Sequence, residues 1–511
     1  MNSPTNSSKN SSTKSPKKSL KNREESILKS LPKLAANPLF KQQCYISGKW
    51  CDGEGGETDA VINPATSEVI GYSPKISETQ LSQAMIFSQQ AQTSWQAQTA
   101  KHRSALLQKW YELIVANQES LAQIITTEQG KPLAEALAEV NYAASYVQWY
   151  AEQAKRVYGE VIPAHQAQLQ LTVVKQAVGV CAAITPWNFP AAMIARKAAP
   201  ALAAGCAIIV KPAPATPFTA FALASLAEQA GIPAGLFNVV TGDAVMIGGQ
   251  FCQNPIIKKL SFTGSTAVGQ QLIRQSASNV TKLSLELGGN APFIVMDDAI
   301  IEDAVDGLIQ SKFRNSGQTC VCANRIYVHR AIYAEFCQQF TNKVAKLNLG
   351  NGFDNDVHLG PLINQAAVEK VQQHVDDAIA NGATLVCGGK ATKRLFYPAT
   401  IITNASHGMR FAKEETFGPV AAIIAFDDIE QVINYANDTP FGLAAYVYSQ
   451  NVSHIHRFGA ELAYGMVGIN TGLISTEVAP FGGIKASGYG REGGKEGIEE
   501  YLVQKYLCQG R

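Results

Sequence analysis

The sequence predicts an α/β protein organised around two successive sheets, and three observations lead there. From 178 the chain alternates short apolar strands with helices, which implies a parallel sheet covered on both faces. A second series of the same kind runs from about 292 to 488. A helical stretch from 77 to about 156 precedes both. At 511 residues the chain is too long for one hydrophobic core, so two or three domains are expected. No segment repeats at a fixed period.

The elements follow in order. Residues 1–38 hold "MNSPTNSSKNSSTKSPKKSLKN", rich in Ser, Asn and Lys and nearly free of large apolar groups, and are expected to be a disordered tail. A transit peptide is the rival, opposed by the near absence of Arg and of an amphipathic period. Order is expected from "CYISGKW" at 44–50. "SETQ" at 77–80 has capping-box spacing, and Leu81, Met85 and Ile86 follow at helical intervals. Gly130 and Pro132 mark a stop and a restart. "QLQLTVVKQ" (168–176) reads as a strand.

"VGVCAAIT" is the next strand; Pro190 opens a helix and Gly205 closes it. "CAIIV" is a strand ending at Lys211, and Thr216 and Pro217 start a helix ended by Gly231. "FNVV", "KKLSFTG" and "KLSLELGG" continue the series. Ligands of such sheets sit beyond the carboxyl ends of the strands, where Lys211, Gly264 and Glu286 fall. The second series contains "PFIVM", "NRIYVH", a long helix near 361–381, "VAAIIAF" and "MVGIN". "YLVQKYL" (501–507) alternates like an edge strand able to pair with another chain.

Composition excludes some classes. Apolar residues at 46% and charged residues at 16% are ordinary for a globular enzyme. A net charge of +2 gives no electrostatic case for nucleic acid or a membrane as partner. The most apolar run, "AAPALAAGCAIIV" (198–210), is too short for a membrane span. The ten cysteines show no framework spacing and no secretory signal stands at the start, so reduced thiols and a cytoplasmic location are expected.

The chemistry gathers around "FRNSGQTCVC" (313–322). Buried packing is the ordinary role of a cysteine, but Asn315, Ser316, Gln318 and Thr319 do not make a core strand around Cys320. No metal site is expected, since about four ligands are needed and the nearest extra candidate, His329, lies on a predicted strand. A Cys320–Cys322 disulfide is sterically tight. A nucleophile fits the setting, and a nearby positive dipole or base raises the thiolate fraction.

Glu286 puts a carboxylate in the apolar "LSLELGGN", where burial lifts its pKa towards that of a general base; a structural bridge to a backbone amide is the alternative. Asn188 in "TPWNFP" is either an oxyanion donor or a turn residue. Gly264 and Ser265 in "FTGSTAVG" can present amides to a phosphate, although Gln270 and Gln271 rule out a nucleoside-triphosphate loop. Lys211 in "VKPAPATP" is either a ribose or phosphate ligand or a solvated lysine. "EETFGP" (414–419) says little alone.

Together, "TPWNFP", "KPAPATP", "FTGST", "ELGGNAP", "GQTC", "EETFGP" and "PFGGIKASGYGREG" follow one another at the spacing of the aldehyde dehydrogenase superfamily, which the chain resembles over roughly 40–511. The resemblance implies a Rossmann-like cofactor domain (39–162 and 178–288), an α/β catalytic domain (289–488), and a bridging β-arm (163–177 with 489–511) that builds homodimers or homotetramers. It implies that Cys320 attacks the aldehyde, that Asn188 and the Cys320 amide hold the oxyanion, that hydride passes to a nicotinamide, and that Glu286 activates the hydrolytic water. Trp187, Lys211, Gly264, Ser265 and the Leu287 backbone match cofactor contacts, and Glu415 and Phe417 match the holders of the nicotinamide ribose and ring.

"FRNSGQTCVCANR", "MIARK" and "GLISTEVAPFGGIKASGYGREG" resemble the succinate-semialdehyde branch of that superfamily. There Arg196, Arg314 and Ser475 match the clamp for a distal carboxylate, a task that suits two guanidiniums and a hydroxyl. Glutarate semialdehyde, longer by one methylene, is a second expected substrate. Many NAD-preferring relatives carry a ribose-binding glutamate where this chain has Pro214, so NADP is favoured over NAD. Cys322 is expected to pack, or, as in some members of that branch, to be the redox partner of Cys320. The rivals are a neutral or amino-aldehyde substrate, a non-catalytic relative, and a coenzyme A acyltransferase, which would not need Glu286.

Overall fold

Apolar strands and helices close into two large sheets in the computed structural model, which describes residues 32–510. Of the expected tail, 1–31 lie outside the described residues, and 32–38 correct the expectation: Pro32–Ala35 is helical, and Leu34 and Leu39 are buried in the first core. Two leucines suffice to anchor a segment whose polar surroundings hide them. A hairpin, β1 (Cys44–Ile46) and β2 (Lys49–Cys51), and a ribbon, β3 (Thr58–Ile62) and β4 (Val69–Pro74), come next.

Four helices follow, Glu78–Gln96, Ala100–Ala116, Gln118–Gln129 and Leu133–Gln153. The first opens on the expected capping box, with Ser77 and Gln80 bonding reciprocally. Gly130 ends the third in the left-handed region (φ 94°), where a Cβ would approach Pro64 and Pro361 to 2.8 Å.

The chain then lays down β5 (Glu160–Ile162) and β6 (Leu169–Ala177), followed by five parallel strands: β7 (Val180–Ile184), β8 (Ala207–Lys211), β9 (Phe237–Val239), β10 (Ile257–Thr263) and β11 (Lys282–Glu286). Their spatial order, β11-β10-β7-β8-β9, reverses direction between β7 and β10. Beyond the carboxyl ends of those two strands lies the crevice where open α/β sheets take ligands. "TPWNFP" leaves β7 and "FTGST" leaves β10, so both motifs stand at that crevice. As expected, Pro190 and Gly205 bracket the helix Pro190–Ala204.

The second sheet holds β12 (Ala291–Val295), β13 (Ala323–His329), β14 (Thr384–Cys387), β15 (Thr400–Thr403), β16 (Val420–Phe426), β17 (Ala444–Tyr448) and β18 (Met466–Ile469). It is parallel except for β14 against β15. The chain then returns: β19 (Gly488–Tyr489) joins the far edge of the first sheet against Leu285 and Glu286, a step the sequence did not announce. Last, β20 (Leu502–Gly510) pairs antiparallel along the whole of β6, with β5 on the other side. The expected edge strand is therefore present, with Val503, Tyr506 and Leu507 exposed. No helix among the described residues is long and apolar enough to cross a membrane.

The helix Ile301–Phe313, which leads into the Cys320 loop, meets β17 through Gly307, where a Cβ would lie 1.6 Å from the Tyr448 hydroxyl. Gly307→Ala gains helix propensity but overpacks this contact, and a net loss of about 1–3 kcal/mol is expected as a lowered Tm. In a Tyr448→Phe background the loss should shrink; an equal loss in both backgrounds would place the clash elsewhere.

Candidate active site

At the crevice of the first sheet, facing the second, lies a cleft with a cavity volume of about 270 Å³. Trp187, Asn188, Gly264, Ser265, Glu286, Leu287, Cys320, Glu415 and Phe417 line it, so nine residues singled out in the sequence come together. Lys211 and Pro214 are not in this lining. Lys211 is buried at the end of β8, where its ammonium donates to the Pro212 carbonyl at 3.3 Å and burial lowers its pKa; Pro214 is exposed beyond it. The end of β8 nevertheless touches the cleft wall, because the Thr185 N–H donates to the Lys211 carbonyl at 3.1 Å.

The loop that carries Cys320 has an unusual backbone. Asn315, Ser316 and Gly317 all have positive φ (52°, 54° and 74°). Hydrogen bonds hold it: Ser316 donates to the Gly360 carbonyl at 2.9 Å, and Asn315 Nδ2 donates to the Asn188 carbonyl at 3.0 Å. Cationic neighbours reach Cys320, Arg196 and Arg314 both favouring the thiolate, yet burial outweighs them and pushes the thiol up to about 12. Cys322 is buried, and its thiol donates to the Lys312 carbonyl at 3.3 Å.

Glu286 ends β11 at 4% exposure, and its Oε2 has no hydrogen-bond partner among the described residues. Burial raises its pKa well above the usual carboxylate range; the Glu492 carboxylate pushes the same way, and Arg196 and Lys197 oppose. Glu492 is itself held low by Lys197 and Arg196. Arg196 forms an ion pair with Glu492 at 2.8 Å and lies 3.9 Å over the Phe481 ring, while neither its Nε nor its Nη2 has a hydrogen-bond partner among the described residues. Lys197, the next residue, donates to Glu492 and, at 2.7 Å, to the Thr263 hydroxyl. Arg314 and Ser475 come together in a narrow cavity with Thr319 and Ile474. Asn188 Nδ2 donates one hydrogen to the Gln318 carbonyl at 2.9 Å, which leaves its second N–H free.

The cleft fits a dinucleotide. Gly264 and Ser265 precede the helix Thr266–Ser276, whose N-terminus favours an anion. The Trp187 and Phe417 rings stand edge to face at 5.7 Å, bounding an apolar slot. Glu415 is half-buried, desolvation pushes its pKa up to about 7, and Oε1 accepts from the Gly289 N–H at 3.3 Å, leaving acceptor capacity for ribose hydroxyls. Sequence reasoning missed Lys370 in the lining and the roles of Glu492, Lys197, Lys131 and Glu139. For Lys131 a signal was present: "EQGKP" places a lysine in a helix break, with Glu135 and Glu139 one and two turns on.

A sequence model of the aldehyde dehydrogenase family matches residues 50–507. The chain belongs to that family. It is 56% identical to glutarate-semialdehyde dehydrogenase of Pseudomonas putida over 470 residues, 92% of this chain and 98% of that one. It is 54% identical to the NADP(+) succinate-semialdehyde dehydrogenase of Escherichia coli over 480 residues, 94% of this chain and 100% of the relative. The crystal structure of an aldehyde dehydrogenase from Brucella melitensis biovar abortus superposes with a TM-score of 0.92 at 56% identity, covering 93% and 99% of the two chains. The fold is that of the aldehyde dehydrogenases, and the protein is an NAD(P)-dependent aldehyde dehydrogenase.

Burial of the Cys320 thiol sets a testable pH dependence. A raised pKa leaves little thiolate at neutral pH, so iodoacetamide modification of Cys320, followed at its peptide by mass spectrometry, should rise about tenfold per pH unit from about 7 to 9 without levelling. A plateau near neutral pH would show that the two guanidiniums win over burial.

Proposed function

We propose that this aldehyde dehydrogenase oxidises succinate semialdehyde to succinate with NADP. The observation that carries this reading is a pair of guanidiniums, Arg196 and Arg314, near enough to Cys320 for both to favour its thiolate electrostatically. The buried Nη2 of Arg196 lacks a partner, a costly vacancy that a substrate carboxylate would fill. Arg314 and Ser475, which share a neighbouring narrow cavity, are the other two groups of the clamp in this reading. When bound, the dinucleotide accepts a hydride; the rest falls to the chain. Cys320 releases its thiol proton to water, and Sγ adds to the aldehyde carbon to give a thiohemiacetal, whose oxyanion accepts from Asn188 Nδ2 and the Cys320 N–H. Oxidation leaves a thioester on Sγ. Glu286, a stronger base for being buried, takes a proton from the water that attacks it; the acid departs and the thiol is restored.

Glu415 and Phe417 hold the nicotinamide end, Ser265 at the start of the helix Thr266–Ser276 the phosphates, and Lys211 with Pro214 the far ribose; Gly264 and Leu287, whose N–H groups already donate to the Glu286 and Ser487 carbonyls, add contacts through the rest of their backbone. No carboxylate stands at Pro214 to repel a 2′-phosphate, and the Escherichia coli relative is named for NADP. Glutarate semialdehyde is the second substrate of this reading, since one methylene is discriminated weakly and the Pseudomonas putida relative is named for it. The sheet of β5, β6 and β20 serves as the arm of a homodimer or homotetramer.

Reduced-cofactor absorbance tests the substrate. Succinate semialdehyde should be turned over far better than butanal, and faster with NADP than with NAD. Arg314→Met should raise KM for the acidic aldehyde about tenfold or more while sparing butanal. Equal use of butanal by the wild type would sink the clamp. Sedimentation tests the arm: the whole chain should run as a dimer or tetramer, and a monomer at micromolar concentration would remove the arm's proposed role.

A further inference from the structure

Around the break between the helices Gln118–Gln129 and Leu133–Gln153 lies a buried cluster of charge that the reaction scheme leaves unused. The Lys131 side chain is 1% exposed and that of Glu139 0%. Lys131 Nζ donates to Glu139 Oε2 at 2.6 Å and to the Asn188 carbonyl at 2.7 Å, and it sits 3.9 Å from the centre of the Phe189 ring. The second Glu139 oxygen accepts from the Ala191 N–H at 2.9 Å and the Ala192 N–H at 3.3 Å, in the first turn of the helix Pro190–Ala204. One ion pair therefore holds the 188–192 turn from both sides, its carbonyl by the ammonium and its helix start by the carboxylate.

The same helix break also reaches the Cys320 loop. Glu135 accepts from the Asn315 N–H at 2.8 Å, Gln129 Nε2 donates to Asn315 Oδ1 at 2.9 Å, and Asn315 Nδ2 returns to the Asn188 carbonyl at 3.0 Å. A buried ion pair is a weak source of net stability, because desolvation offsets most of the attraction. Its value here is geometric: a misplacement of about 1 Å in a site can cost about 100-fold in rate.

We propose that Lys131, with Glu139 as counter-ion, is the positioning residue that fixes the direction in which the Asn188 amide faces the oxyanion. This rests on the reading of Asn188 as an oxyanion donor. Lys131 touches no reacting atom and reaches Asn188 through its carbonyl.

The test is a double-mutant cycle on the single-turnover rate of reduced-cofactor formation, with KM and Tm measured alongside. Lys131→Met is paired with Glu139→Gln so that no carboxylate is left buried without its partner. Asn188→Ala alone should slow the step by about 10²–10³. The Lys131→Met/Glu139→Gln protein should be about 10–100-fold slower with KM for the aldehyde within about threefold of wild type. In the Asn188→Ala background the same pair of changes should cost less than about twofold, since there is no longer an amide to aim. A full multiplicative loss in that background overturns the proposal, as does an unchanged rate with a lowered Tm. An Asn188→Ala enzyme as fast as wild type overturns the reading of Asn188 itself, and the proposal with it.

Discussion

Neutralising buried charge next to a reacting thiol is the constraint on which the rest of this structure depends. Arg196 and Lys197 are consecutive on one helix and both are buried, and Glu492 answers both, one through each carboxylate oxygen. Adjacent helical residues point in different directions, so a single carboxylate can satisfy both only from one place. That requirement draws the 488–492 segment onto the edge of the first sheet, where β19 pairs with the end of β11. The chain just before that segment walls in Glu286: a Cβ at Gly482 would come within 2.8 Å of its Oε1. Two carboxylates thus share a small volume with opposite fates. Glu492, between two cations, is held ionised, while Glu286, buried beside it, is pushed towards the protonated form.

Backbone geometry is stressed in the same region. Asn315, Ser316 and Phe417 are non-glycine residues with positive φ, all within the two loops that bound the cleft. Those loops cross backbone to backbone at Gly317, where a Cβ would meet the Gly418 carbonyl at 2.2 Å. Only glycine permits that approach, and the approach sets the spacing between the thiol on one loop and the Phe417 ring on the other.

Elements governed by neighbours in sequence were legible from sequence. The Ser77–Gln80 capping box, the Pro190 start, the Gly205 stop and the strand end at Lys211 each rest on contacts a few residues apart. The cleft residues were legible only through family resemblance, which carries their order along the chain and not their partners. What stayed hidden is long-range: Lys131 meets Asn188 across 57 positions, and Lys197 meets Glu492 across 295. No local pattern encodes such a pairing. Leu34 failed for another reason: it lies beyond the Ser-, Asn- and Lys-rich stretch from which the whole tail was read, although it is buried in the core.

Synthesis proceeds from the amino end, and domains ordinarily fold as their residues emerge. Here the first sheet cannot be finished that way, because its last strand, β19, and the counter-charge Glu492 arrive only after the whole second sheet. On the ribosome, Arg196 and Lys197 wait as two uncompensated cations in a helix that is otherwise almost wholly apolar. Translation therefore ends with the closing of its first-made half, and a transcript shortened by a few dozen codons would yield a protein with most of its core intact and an electrostatic wound beside its thiol.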